Sequence, residues 1–136
     1  MWARLAVIAV LVAGRAGADL APRTVEPIIL PSGHRVTFHE VISDAKGYGL
    51  TIRFRFLAPW LAETIETTDY QEIEADMAFL CETYALPRVP DIGPQPAMIV
   101  VSLAQAKVPF GEPAPGVAQI FEAYRPDAGV CLWEGL

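Results

Sequence analysis

The stretch Thr68–Leu86, TDYQEIEADMAFLCETYAL, constrains the fold of this chain more than any other. At about 100° per residue, Tyr70, Ile73, Met77, Leu80, Cys81 and Tyr84 fall within one arc roughly 100° wide, the pattern of an amphipathic helix lying on a core. Asp69, Glu72 and Asp76 line the acidic flank of that stripe. Thr68 or Asp69 suits the N-cap, acids occupy the first turns where the helix dipole favours them, and Pro87 predicts a stop just after Leu86. Phe79 and Leu86 fall on the far side, with Trp60-Leu61 as the nearest apolar cover. A helix with one apolar face needs a second layer.

Strands supply it. Leu50–Leu57 alternates with period two, sending Leu50, Ile52, Phe54 and Phe56 to one side and Thr51, Arg53 and Arg55 to the other. His34–Ser43 is β-branched and aromatic with imperfect alternation, and the glycine-containing turn Asp44–Gly49 joins the two into a hairpin. Ala97–Leu103 is a continuous apolar run, as expected of a central strand. Val117–Tyr124 and Val130–Glu134, joined by a turn over Arg125–Gly129, predict a second hairpin. Asp19–Gly33, with three prolines, reads as an extended arm against the edge of the sheet, and the proline-rich Pro87–Pro96 as a stiff extended connector. The expected fold class is α+β: about five mostly antiparallel strands packed on one main helix, with a single disulfide.

The disulfide follows from compartment. Residues 1–18 combine Arg4, the apolar run Leu5–Ala13 and the small-x-small triplet Ala16-Gly17-Ala18, the pattern of a cleaved signal peptide with its cut between Ala18 and Asp19. The apolar run is shorter than the roughly 20 residues a bilayer span needs, so no stable membrane anchor is expected after cleavage. A periplasmic or secreted chain of residues 19–136 suffices for one domain with one modest core. In an oxidising compartment, two cysteines read as a pair, and Cys81–Cys131 closes a loop of about 50 residues. Cys81 projects from the core side of the helix, where a crosslink can be buried, and no C-x-x-C redox motif is present.

Charge narrows the partners. The whole chain carries −6; losing residues 1–18 removes Arg4 and Arg15 but no acid, leaving eight basic against sixteen acidic residues, or −8. No lysine or arginine occurs between Arg55 and Arg88. Nucleic acid is therefore excluded as a partner, and anionic membrane is disfavoured for the same reason.

The C-terminal VPFGEPAPGVAQIFEAYRPDAGVCLWEGL, with ADMAFLC upstream, resembles a family of small exported bacterial proteins whose domain is of unknown function, with an F-G…Q-x-F-E…G-x-C-x-W-E pattern. The resemblance covers most of residues 19–136. It implies periplasmic export and a helix-to-hairpin disulfide, and carries over no activity, cofactor or catalytic residue.

Candidate chemistry is sparse. His34, His39 and Glu40 invite a metal reading, but a spacing of five sends the two imidazoles to opposite faces of an unbroken strand. None of Ser32, Ser43 and Ser102 lies in G-x-S-x-G. Glu122 and Glu134 could approach across the last hairpin for acid–base work, or line a solvated face. Arg53 and Arg55 read as outward strand residues able to pair with the helix acids, or as an anion site. Trp60, Phe110 and Trp133 mark either core anchors or a binding surface.

No metal, cofactor or catalytic constellation is therefore assigned. The expected function is a non-catalytic binding module acting through protein–protein interaction in the cell envelope. Its partner would present a basic surface to the acids between Glu63 and Glu82, with the loop Pro109–Gly116 and Trp133 as apolar anchor, and the candidate binding residues are Trp60, Phe110, Glu122, Trp133, Arg53 and Arg55. The alternative is a small hydrolase or isomerase using Glu122 or His39 in a cleft; converging polar groups in a pocket would favour the enzyme, a flat face with exposed aromatics the binder.

Overall fold

A computed structural model describes residue 14, residues 25–45 and residues 49–135. Apart from Gly14, the leader expected over residues 1–18, its cleavage point and the first residues of the arm lie outside the described residues, as does the middle of the turn at 46–48. The strands are β1 (Ile28–Ile29), β2 (Arg35–Asp44), β3 (Thr51–Leu57), β4 (Met98–Ala104), β5 (Gln119–Asp127) and β6 (Val130–Glu134). They form one sheet in sequence order, so six strands stand where about five were expected. The sixth is the arm: Ile28 and Ile29 pair with Val36 and Arg35, which makes it a short edge strand.

All neighbouring strands are antiparallel except β3 and β4, which run parallel and are joined by the helical segment. A parallel pair needs a long crossover, and the helix is that crossover. Ile52, Phe54 and Phe56 of β3 and Ile99, Val101 and Leu103 of β4 are fully buried on the helix side, together with Ile73, Met77 and Leu80. Tyr84 completes this layer, its ring 5.3 Å from those of Phe38 and Phe56.

The helix departs from expectation at both ends. Helix α1 (Leu61–Thr64) precedes it, and α2 covers Tyr70–Leu80, capped by Asp69, whose carboxylate accepts from the Gln71 N–H at 3.1 Å. A π-helical turn, Cys81–Ala85, follows, and α3 continues over Leu86–Ile92. Pro87 therefore starts a new helical segment instead of ending the old one. The helical backbone runs on through this junction, where the Leu86 N–H still reaches the Cys81 carbonyl across the π-turn. The connector expected over 87–96 is helical up to Ile92. Asp76, expected on a solvated flank, is only 2% exposed. Its carboxylate accepts from the Ser32 backbone N–H (3.0 Å) and hydroxyl (2.5 Å) and so ties the arm to the helix.

Two local devices set the register. Between Phe38 and Glu40 the β2–β3 ladder carries a bulge at His39, so Phe38 pairs with Phe56 while Glu40 pairs with Arg55. The bulge explains the imperfect alternation of HRVTFHEVIS, because it lets Phe38 and Val41, three residues apart, face the same core. In the second hairpin β5 extends to Asp127 and the turn shrinks to Ala128-Gly129, both with positive φ (48° and 82°), as a two-residue turn requires. Pro126 is tolerated in the strand because the ladder with β4 starts at Ile99 opposite Tyr124, leaving that side of Pro126 without a ladder partner. Cys131 of β6 is bonded to Cys81, with Cα atoms 6.3 Å apart. Among the described residues no helix is long and apolar enough to cross a membrane.

Candidate functional site

The sheet sorts the sequence-derived candidates onto two faces. On the helix face, Glu122 of β5 and Trp133 of β6 stand beside the first turns of α2. Trp133 pairs with Tyr124 in the ladder, which brings its indole next to the carboxylate two residues back on β5. The indole Nε1–H donates to Glu122 Oε2 at 2.7 Å, and the Tyr70 hydroxyl donates to Oε1. Glu122 is nearly buried, yet both its oxygens have donors, as a buried carboxylate requires. The bond to Glu122 is the chief reason the Tyr70 phenol is pushed up to about 12, with burial adding to it. Burial raises the neighbouring Tyr124 phenol well above its ordinary value, and the Glu122 charge adds to the shift. Both phenols are thus held neutral, and that of Tyr70 as a donor to Glu122.

Beside this cluster runs an open groove of about 450 Å³ between α2 and the last hairpin, lined by Gln71, Glu74, Ala75, Ala78, Tyr124 and Trp133. The indole of Trp133 is 62% exposed along its wall. Glu74 is half-buried there, and among the described residues no cation pairs with it. Aromatic wall plus uncompensated carboxylate is a cation-accepting arrangement.

The opposite face carries the arginines. Arg55 is only 7% exposed and fully engaged: it pairs with Glu40 and donates to the Val108 carbonyl at 2.7 Å. Arg53 lies two residues back on the same face, and its guanidinium is 5.3 Å from the Phe110 ring. Neither arginine meets the helix acids, which lie across the sheet, so the pairing expected between them is replaced by Glu40 from the neighbouring strand. Glu134 is also on this face, bonded to Arg125 at 3.0 Å. Glu122 and Glu134 therefore point to opposite faces and cannot act as one acid–base pair. The reason is register: Glu134 stands opposite Ala123, not Glu122.

Trp60 stands apart from both faces. Its indole donates to the Arg35 carbonyl at 2.6 Å and stacks on His34 at 4.1 Å, tying α1 to the start of β2. His39, the bulge residue, borders a shallow recess with Glu40, Lys107 and Phe110, so the two histidines serve separate neighbourhoods. Sequence reasoning named Glu122, Trp133, Arg53, Arg55 and Phe110 and missed Tyr70, Glu74 and Tyr124 as their companions. Helical period puts Tyr70 in the core stripe, but its place at the start of α2, ahead of the buried positions, lets it reach outward.

Fold and site together define a class: a disulfide-crosslinked α+β unit with an aromatic, acidic groove on one face of its sheet and an arginine-bearing cleft on the other. The chain belongs to the family of unknown function DUF6497, whose model matches residues 8–136. No curated protein and no solved structure matches it.

Proposed function

We propose that the chain is a non-catalytic binding module of the cell envelope, exported by the leader-like segment at residues 1–18, and that it takes a basic side chain of a partner protein in the groove beside Trp133. The observation that carries this reading is the half-buried Glu74, unpaired among the described residues, next to the exposed indole of Trp133. A lysine or arginine entering there gains a carboxylate and an aromatic face at once. The absence of lysine and arginine between Arg55 and Arg88 leaves the α2 side of the groove without a cation of its own. The chain's acid excess steers basic surfaces towards it from a distance. An oxidising compartment accords with the Cys81–Cys131 bridge. The hydrolase or isomerase reading is less favoured, because both oxygens of Glu122 are committed to Tyr70 and Trp133 and His39 borders a recess on the other face.

The test is a titration of the protein with N-acetyl-arginine amide, followed through the indole N–H resonance of Trp133 assigned with a Trp133→Phe variant. A cation–π contact contributes roughly 0.5–2 kcal/mol and one partly exposed charge pair about as much, so binding is expected in the millimolar range or weaker. The Trp133 resonance should shift saturably with the arginine probe and stay still with N-acetyl-norleucine amide, which lacks the charge. Equal shifts with both probes would remove the basis of the reading.

A further inference from the structure

We propose that the face of the sheet opposite the groove carries a binding subsite for a monocarboxylate with an apolar body, centred on the Arg53 guanidinium. The inference is independent of the groove, which lies across the sheet. Its starting point is a contrast between two arginines of one strand. Arg55 has Glu40 and the Val108 carbonyl as acceptors. Arg53 has the same orientation, but its cross-strand neighbours are Ile42 and Val100, which offer no side-chain acceptor, and its Nε is buried without a hydrogen-bond partner. The Nε itself is shielded from solvent, but the rest of the guanidinium lines the cleft with no hydrogen-bond or ion-pair acceptor among the described residues, so an anion there would supply the acceptor that Arg55 already has.

The cleft has the size and chemistry for one. It encloses about 180 Å³, below the roughly 300–1,000 Å³ of sites for drug-sized molecules, so it suits a small acid or one residue and not a nucleotide or large cofactor. Ser102 and Gln119 in its lining add neutral donors beside Arg53. Charge then selects the anion. Arg55 is already neutralised by Glu40, and Glu112 in the lining opposes the remaining positive charge of Arg53. With these charges cancelling, a dianion such as a phosphate monoester would leave two negative charges uncompensated and a carboxylate only one, and the planar carboxylate also matches the guanidinium fork. Phe110 and Phe121, 49% and 55% exposed, flank the cleft and would cover the apolar body of the ligand.

Two sources share this chemistry, a free carboxylic acid and the C-terminal residue of a peptide. The experiment is a set of NMR titrations of the protein with phenylacetate, phenylacetamide, phenyl phosphate and N-acetyl-alanyl-phenylalanine, read at the backbone amides of Arg53, Ser102 and Phe121. The proposal expects saturable shifts with phenylacetate or the dipeptide, at least about tenfold weaker binding of phenylacetamide, and weaker binding of phenyl phosphate. Binding by phenylacetate indicates a free acid; binding by the dipeptide alone indicates a chain terminus. Arg53→Gln should abolish the shifts. Glu112→Gln, at an exposed loop residue, should strengthen binding a few-fold and provides a second test should Arg53→Gln fail to fold. Equal binding of acid and amide, tighter binding of phenyl phosphate, no shifts with either carboxylate, or affinity unchanged in Glu112→Gln would overturn it.

Discussion

Glu122 accepts hydrogen bonds from side chains 52 residues before it and 11 residues after it, so one carboxylate ties α2 to the last hairpin. The Tyr70 phenol records that tie. In absorbance titrations, the protein should show a tyrosinate step near pH 12 that disappears in Tyr70→Phe, and in Glu122→Gln that step should move down towards pH 10. The sign follows from the raised value: the contact is fully present below the phenol's ordinary range and is lost as pH rises through about 12. A second residue-scale prediction concerns Asp76. Asp76→Ala leaves the Ser32 N–H and hydroxyl without their acceptor and should destabilise the protein by about 1–3 kcal/mol in urea unfolding, whereas Asp69→Ala removes only an exposed cap and should cost about 1 kcal/mol. Glu122 and Trp133 were legible in the sequence as candidates because acids and aromatics in a short strand are conspicuous. Their partner Tyr70 was not, since helical periodicity assigns a face but not the reach of a long side chain in the first turn. Asp76 was hidden for a related reason: its acceptor role depends on Ser32, and no local pattern brings an arm 44 residues away to the helix.

At the scale of elements, β3 and the core face of α2 follow directly from their periods, and Ile52, Phe54, Phe56, Ile73, Met77 and Leu80 are buried as the two patterns require. Phe54→Ala should therefore cost roughly 3–5 kcal/mol, and Thr51→Ala, on the outer face, far less. Equal losses would mean the strand register differs by one residue. What the periods did not reveal are interruptions of period: the π-turn at Cys81–Ala85, the bulge at His39 and the two-residue turn at Ala128-Gly129. Each inserts or removes a residue relative to a regular lattice, and tertiary pairing selects among registers that local sequence leaves nearly degenerate. The disulfide joins the start of the π-turn to β6, closing the loop that contains α3, β4 and β5. On the chain-entropy model its reduction should lower unfolding free energy by about 4 kcal/mol, measured as a lower urea midpoint with and without reductant.

At the scale of the molecule, the sheet separates two chemistries onto its two faces. Trp133 and Glu122 face the helix, Arg53, Arg55 and Phe110 face away from it, and Trp60 serves as an internal strut. The acid excess was legible from composition; which acid is left unpaired beside an exposed aromatic was not, because that depends on which faces of the sheet the acids and the β3 arginines occupy. The central claim is that the Trp133 groove recognises positive charge. The most direct measurement is the affinity of the protein for a lysine-rich peptide at low and physiological salt, compared with Trp133→Ala and Glu74→Gln. The account predicts binding that weakens as the Debye length falls to about 8 Å, and a loss of roughly 1–2 kcal/mol in Trp133→Ala with a smaller one in Glu74→Gln. Affinity that neither substitution changes, or equal affinity for a peptide with glutamate in place of lysine, would contradict it.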